Sequence, residues 1–92
     1  MKFTLERTVV LTTINSNGQL VKICEGDMVY LKLDLSNMDL SWKDKWIAKY
    51  PEGWIQGQII SVSPKGNHIK FYIEPCIYFS LRQKDILDIK EV

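Results

Sequence analysis

Apolar and polar residues alternate along most of this chain, and the period of the alternation is that of β-strands. Residues 3–14 are rich in β-branched types and run into Asn15-Ser16-Asn17-Gly18. Asn17 and Gly18 both tolerate positive φ, so the pair predicts a tight turn, with QLVKIC at 19–24 returning as the second arm of an N-terminal β-hairpin. Glu25-Gly26-Asp27 makes the next turn. In the following MVYLKLDL, Val29, Leu31, Leu33 and Leu35 point one way and Tyr30, Lys32 and Asp34 the other, the signature of a half-buried strand.

Residues 36–53 interrupt the alternation. Ser41 followed by Asp44 resembles a capping box, and residues 42–50 suit a short helix. Pro51 turns Tyr50 away from helical geometry, and Pro51-Glu52-Gly53 leads out. Strand pattern resumes at WIQGQIISVS, turns at PKGN and returns as HIKFYIE.

The next reversal yields to register arithmetic. With Glu74, Pro75 and Cys76 as a three-residue loop, Ile73 opposes Ile77, Phe71 opposes Phe79 and Ile69 opposes Leu81, all apolar on one face. The other face then carries Tyr72 opposite Tyr78 and Lys70 opposite Ser80. A two-residue loop would shift the register by one and mix the faces. After Leu81, RQKD reads as one turn of a tight helix and ILDIKEV as a last short strand.

The pattern predicts a mainly β chain of hairpin-connected antiparallel strands. It adds an N-terminal β-hairpin and one short helix in the 36–53 loop, all within a single domain spanning 1–92. Closure into a small barrel would hide the sheet edges. EGDMVYLKL as an entry strand, the long 36–53 loop, GWIQGQIISVSPKGNHIKFYI as a central hairpin and IYFSLRQKDILDIKEV as strand, turn and strand resemble a Src-homology-3-like (SH3-like) or Sm-like small β-barrel. The resemblance covers residues 25–92. It departs from the peptide-binding signalling domains in lacking an ALYDY-like strand and a paired-tryptophan motif. It departs from the RNA-binding rings in offering only Arg82 and Lys84 where a basic motif belongs. No functional residue carries over from either.

Composition narrows the classes. Ninety-two residues with 46% hydrophobic and 25% charged positions have the balance of a folded globular domain. No run approaches the roughly 18 apolar residues of a membrane span, and Glu6 and Arg7 break any signal-like stretch, so a cytoplasmic location and no membrane partner are expected. Twelve basic and eleven acidic residues are spread along the chain for a net charge of +1, without the basic excess that phosphate neutralisation demands. Ten of the basic residues are lysine and there is a single alanine, a bias that points to a low-GC Gram-positive bacterium or its phage. Cys24 and Cys76 end apolar runs and read as buried free thiols.

Catalytic chemistry has no foothold in these residues. His68 is the only histidine, in a turn, with no second histidine and no close cysteine pair to complete a metal site. The carboxylates offer no catalytic pair, Asp85 and Asp88 straddling the start of the last strand, and no nucleophile motif or phosphate loop occurs. The chain is read as a non-enzyme without cofactor or metal.

Two aromatic sets remain. WKDKWIAKYPEGW, residues 42–54, holds three tryptophans, a tyrosine and three lysines. On a helix Trp42, Trp46, Ile47 and Tyr50 fall within roughly a 140° sector, and a helix this short needs that stripe to dock. Trp54 would close the barrel end beneath it. The same Trp42, Trp46, Tyr50 and Trp54 are the candidate anchors for a protein partner, since tryptophan and tyrosine dominate interface energetics. The second set is Tyr72 and Tyr78 with Lys70 and Arg82. It reads as a face covered by the N-terminal hairpin or a simple cross-strand pair, as a basic-rimmed stacking face for single-stranded nucleic acid, or as a contact for a protein partner. The favoured expectation is a protein-binding or regulatory module encoded by a phage or mobile element and acting on a host protein. The alternatives are a nucleic-acid-binding barrel and a self-associating structural or assembly subunit.

Overall fold

In a computed structural model the chain is described at residues 1–7, 10–65 and 67–92. It is mainly β, in two antiparallel sheets. Thr4–Arg7 (β1), Val10–Ile14 (β2) and Leu20–Cys24 (β3) form a three-stranded sheet in the order β1-β2-β3. Met28–Leu33 (β4), Trp54–Val62 (β5), His68–Ile73 (β6), Ile77–Arg82 (β7) and Ile86–Glu91 (β8) form a five-stranded sheet in the order β7-β6-β5-β4-β8. One α-helix, Lys43–Lys49 (α1), and two 3-10 turns, Leu35–Asn37 and Gln83–Asp85, complete the elements. Among the described residues no ladder joins β7 to β8.

The first correction falls at the N-terminus. The run 3–14 is not one hairpin arm but two strands, β1 folding back on β2 with Thr4 opposite Thr12 and Leu5 opposite Leu11. Thr8 and Val9 lie outside the described residues, as does Gly66 of the expected PKGN turn. No Gly, Pro, Asn or Asp stands between Phe3 and Ile14, so turn chemistry gave no warning. The Asn17-Gly18 turn does join β2 to β3, with Gly18 at φ 78° and Ile14 opposite Leu20.

The alternation of β4 holds, with Val29, Leu31 and Leu33 buried; the strand ends at Leu33, and Leu35 is buried from the 3-10 turn that follows. β4 is central, pairing with β5 on one side and with β8 on the other. β5 serves two neighbours in turn, Trp54 to Gln58 lying against β4 and Gln58 to Val62 against β6. Its register shifts between Ile59 and Ser61, a bulge that bends the strand. The β6–β7 register is the predicted one at all five pairs: Ile73 with Ile77, Tyr72 with Tyr78, Phe71 with Phe79, Lys70 with Ser80 and Ile69 with Leu81.

Inward residues of both sheets share one apolar cluster, with Leu11, Ile23, Leu31, Ile59, Phe71, Leu81 and Ile86 fully enclosed. Gly57 of β5 belongs to this interior by necessity. A Cβ there would stand 2.5 Å from the Tyr72 carbonyl oxygen and 2.6 Å from the Phe71 ring. The small sheet is tied to the large one by polar clips as well. The Met1 ammonium donates to the carbonyls of Gln83 (3.1 Å) and Ile86 (2.8 Å), and the Phe3 amide donates to the Gln83 side chain at 3.1 Å. At the other end, the Ser16 amide and hydroxyl both donate to the Asp88 carboxylate.

Candidate functional site

The 36–53 loop lays α1 against the sheet, but the helix begins one residue later than a Ser41 cap implies. Trp42 occupies the cap position at φ 61°, ψ 34°, left-handed geometry that bulky residues avoid. Its carbonyl accepts the amides of Lys45 (3.0 Å) and Trp46 (3.2 Å), and no side chain caps the helix. Asp44 in the first turn and Lys49 in the last suit the helix dipole. Tyr50 ends the helix before Pro51, its amide donating to the Trp46 carbonyl at 2.9 Å.

That late start divides the aromatic stripe. Trp46 docks the helix, its ring centroid 5.2 Å from Phe79 and 5.9 Å from Tyr50, with Ile47 and Tyr50 also packed on the core. Trp42 falls outside the helical spiral and is 72% exposed, with the Lys45 ammonium 4.5 Å from its ring centroid. Trp54 separates from both. It opens β5 opposite Lys32 on the outward face, half-buried, with the Lys90 ammonium 4.5 Å from its ring and 5.2 Å from that of Tyr30. Of the four predicted anchors, Trp42 alone is strongly exposed.

The second set assembles as its register requires. Along the outward face of β6 and β7, Tyr72 opposes Tyr78, Lys70 opposes Ser80 and His68 opposes Arg82. The two tyrosine rings are 4.9 Å apart and tilted by 53°. Lys70 lies 5.3 Å over the Tyr78 ring, and Tyr78 is 55% exposed. The Tyr72 hydroxyl donates to the Pro75 carbonyl at 2.6 Å. Desolvation, with Tyr78, Glu74 and Cys76 alongside, raises its pKa and keeps the phenol a neutral donor. The small sheet does not lie over this pair. It is clipped instead to Gln83, Ile86 and Asp88 on the β8 side of the large sheet.

Two grooves lie beside these sets, and one of them brings Tyr50 of the first set to Tyr72 of the second. One, of about 230 Å³, runs between the loop residues Met38, Asp39 and Leu40 and the β7 residues Tyr78, Ser80 and Arg82. The other, of about 400 Å³, has Tyr50 on one side and Tyr72 and Glu74 on the other, with Gln56 and Gln58 between them. Met38 and Leu40 were overlooked because they sit where the alternation fails, although two apolar residues in a polar loop are a signal of docking. Gln56, Gln58 and Glu74 carry no local signal.

The cysteines are both free, Cys24 half-buried and Cys76 exposed, so the expectation of a buried thiol fails at Cys76. Its place in the Glu74–Cys76 turn, one position before β7 begins, takes it off the apolar face. His68 is exposed, its Nδ1 3.3 Å from Asn67 Oδ1. Among the described residues no group of three or more His, Cys, Asp or Glu side chains could hold a metal ion. Among them, too, no helix is long and apolar enough to cross a membrane. Compared with known proteins, the chain gives no significant match to a family model, a curated protein or a solved structure.

Proposed function

We propose that the chain is a non-catalytic protein-binding module built on a Src-homology-3-like small barrel, using the surface between the 36–53 loop and β7. The observation that carries this reading is Trp42, 72% exposed and held in an unfavourable left-handed conformation at the start of a helix. An indole in water and a strained backbone both cost stability, and such costs persist where a ligand is met. Tyr78, 55% exposed across the groove from Met38 and Leu40, supplies a second anchor. The barrel reading draws support from the order β7-β6-β5-β4-β8, the long loop between β4 and β5, and the single 3-10 turn before β8. A cytoplasmic host protein, met by a phage or mobile-element product, fits the composition.

The test is capture from a lysate of the organism that encodes the chain, using wild type, Trp42→Ala and Tyr78→Ala, each with its fold checked by circular dichroism. Loss of a captured protein in both variants is the expected result, and unchanged capture by the two would overturn the proposal.

A nucleic-acid reading rests on the outward row of Lys70, Tyr72, Tyr78 and Arg82. It requires binding of single-stranded oligonucleotides that weakens steeply with salt. Absence of binding at low salt would end it.

A further inference from the structure

The lysines around this surface touch aromatic rings rather than carboxylates, as Lys90 also does over Tyr30 and Trp54. Among the described residues the one ion pair is Lys22 with Glu6, at 3.4 Å, away on the three-stranded sheet. Lys45, Lys49 and Lys70 lie instead over the rings of Trp42, Tyr50 and Tyr78, at 4.5, 5.4 and 5.3 Å. Tyr50 lines one of the two grooves and Tyr78 the other, whereas Trp42 lines neither and follows the groove residue Leu40 by two positions in the chain. The exposed Trp42 and Tyr78 and the half-buried Tyr50 are therefore each paired with an ammonium group that forms no ion pair among the described residues.

We infer that the partner, on the protein-binding reading above, is an acidic polypeptide segment that combines carboxylates with apolar side chains. Its apolar side chains would enter the grooves beside Tyr50 and Tyr78 and meet the exposed Trp42 indole. Its carboxylates would meet Lys45, Lys49 and Lys70, whose ammonium groups aromatic contact holds at this exposed surface.

The same geometry disfavours a nucleic acid. Base stacking needs open, roughly parallel ring faces. Here lysines cover faces of Trp42 and Tyr78, and Tyr72 and Tyr78 are tilted by 53°. Asp39 and Glu74 also line the grooves, and a phosphate at every nucleotide could not avoid both. A peptide can place neutral residues opposite them.

The experiment is selection of a ribosome-displayed library of random peptides on the wild-type chain. It is followed by affinity measurements of the selected peptides, and of a single-stranded oligothymidylate, on Trp42→Ala, Lys45→Glu and Lys70→Glu. The expected result is enrichment of Asp and Glu beside apolar residues. Binding should be lost in Trp42→Ala and weakened roughly fivefold or more at low salt by each charge reversal. Peptides that depend on Trp42 but show no acidic enrichment would overturn this inference and leave the protein-binding reading intact. Failure to select any Trp42-dependent peptide would overturn both. Oligothymidylate binding that Lys70→Glu abolishes, without such peptides, would overturn both in favour of a nucleic-acid partner.

Discussion

Asp88 on the last strand accepts both the amide and the hydroxyl of Ser16, 72 residues earlier in the chain, and so fastens the β2–β3 turn to the large sheet. Burial alone would raise the carboxyl pKa. The two Ser16 bonds, the Ile89 amide and the charge of Lys32 together outweigh it and hold the group below its ordinary value. A carboxylate depressed in the folded state stabilises fully above its unfolded pKa, and that stabilisation is lost as pH falls through the folded one. Wild type should therefore lose its advantage over Asp88→Asn as pH drops from about 5 through the carboxylate range. Ser16→Ala should cost about 1 kcal/mol at neutral pH. Urea midpoints measured across that window check both, and a constant gap between wild type and Asp88→Asn would refute the assignment.

Gly57→Ala should be among the most damaging single-methyl changes in the chain. The added carbon meets the Tyr72 backbone oxygen as well as the Phe71 ring, and the backbone oxygen cannot swing aside. Overpacking of this kind costs about 3 kcal/mol. Chemical denaturation measures it, and a loss under about 1 kcal/mol would show that β5 and β6 can separate locally.

The two tryptophans of the loop should behave in opposite ways. Trp46→Ala removes the ring that docks α1 on Phe79 and should cost about 2–3 kcal/mol, less than a fully enclosed tryptophan because Trp46 is half-buried. Trp42→Gly relieves a left-handed backbone and should leave stability unchanged or raise it by about 1 kcal/mol. Thermal melts of the two variants separate the docking residue from the exposed one.

Thiol chemistry should distinguish the cysteines. Exposed Cys76 should react with an aromatic disulfide reagent in a fast phase, and half-buried Cys24 in a slower one. Cys76→Ser should remove the fast phase alone. A single fast phase of two thiols in wild type would contradict the burial of Cys24.

Register was legible wherever one face is apolar. A one-residue slip at Glu74–Cys76 would have turned Phe71, Phe79, Ile69 and Leu81 outward, so the pairing had one acceptable solution. The split of residues 3–14 was not legible, because both strands are β-branched and the reversal between them lacks a turn residue. Trp42 escaped for a different reason. Its place on a helical wheel presumed that the helix had already begun, and a cap residue has no helical azimuth. The docking of Met38 and Leu40 beside β7 is a tertiary relation between the loop and a strand made some forty residues later, and no periodicity reports that.

The ladder between β4 and β8 sets Val29 opposite Glu91 and Leu31 opposite Ile89. The other strand pairs among the described residues join neighbours in sequence, so strand pairing is local except at this one seam. On the ribosome, β1 to β7 can each find a partner as they emerge, whereas one edge of β4 stays open until residues 86–91 follow. Non-local pairing of this kind carries the largest loop-closure cost and sets the pace of folding. Completion of the large sheet is therefore a late event, and the unpaired backbone edge of β4 is the part of the nascent chain most exposed to the wrong neighbour.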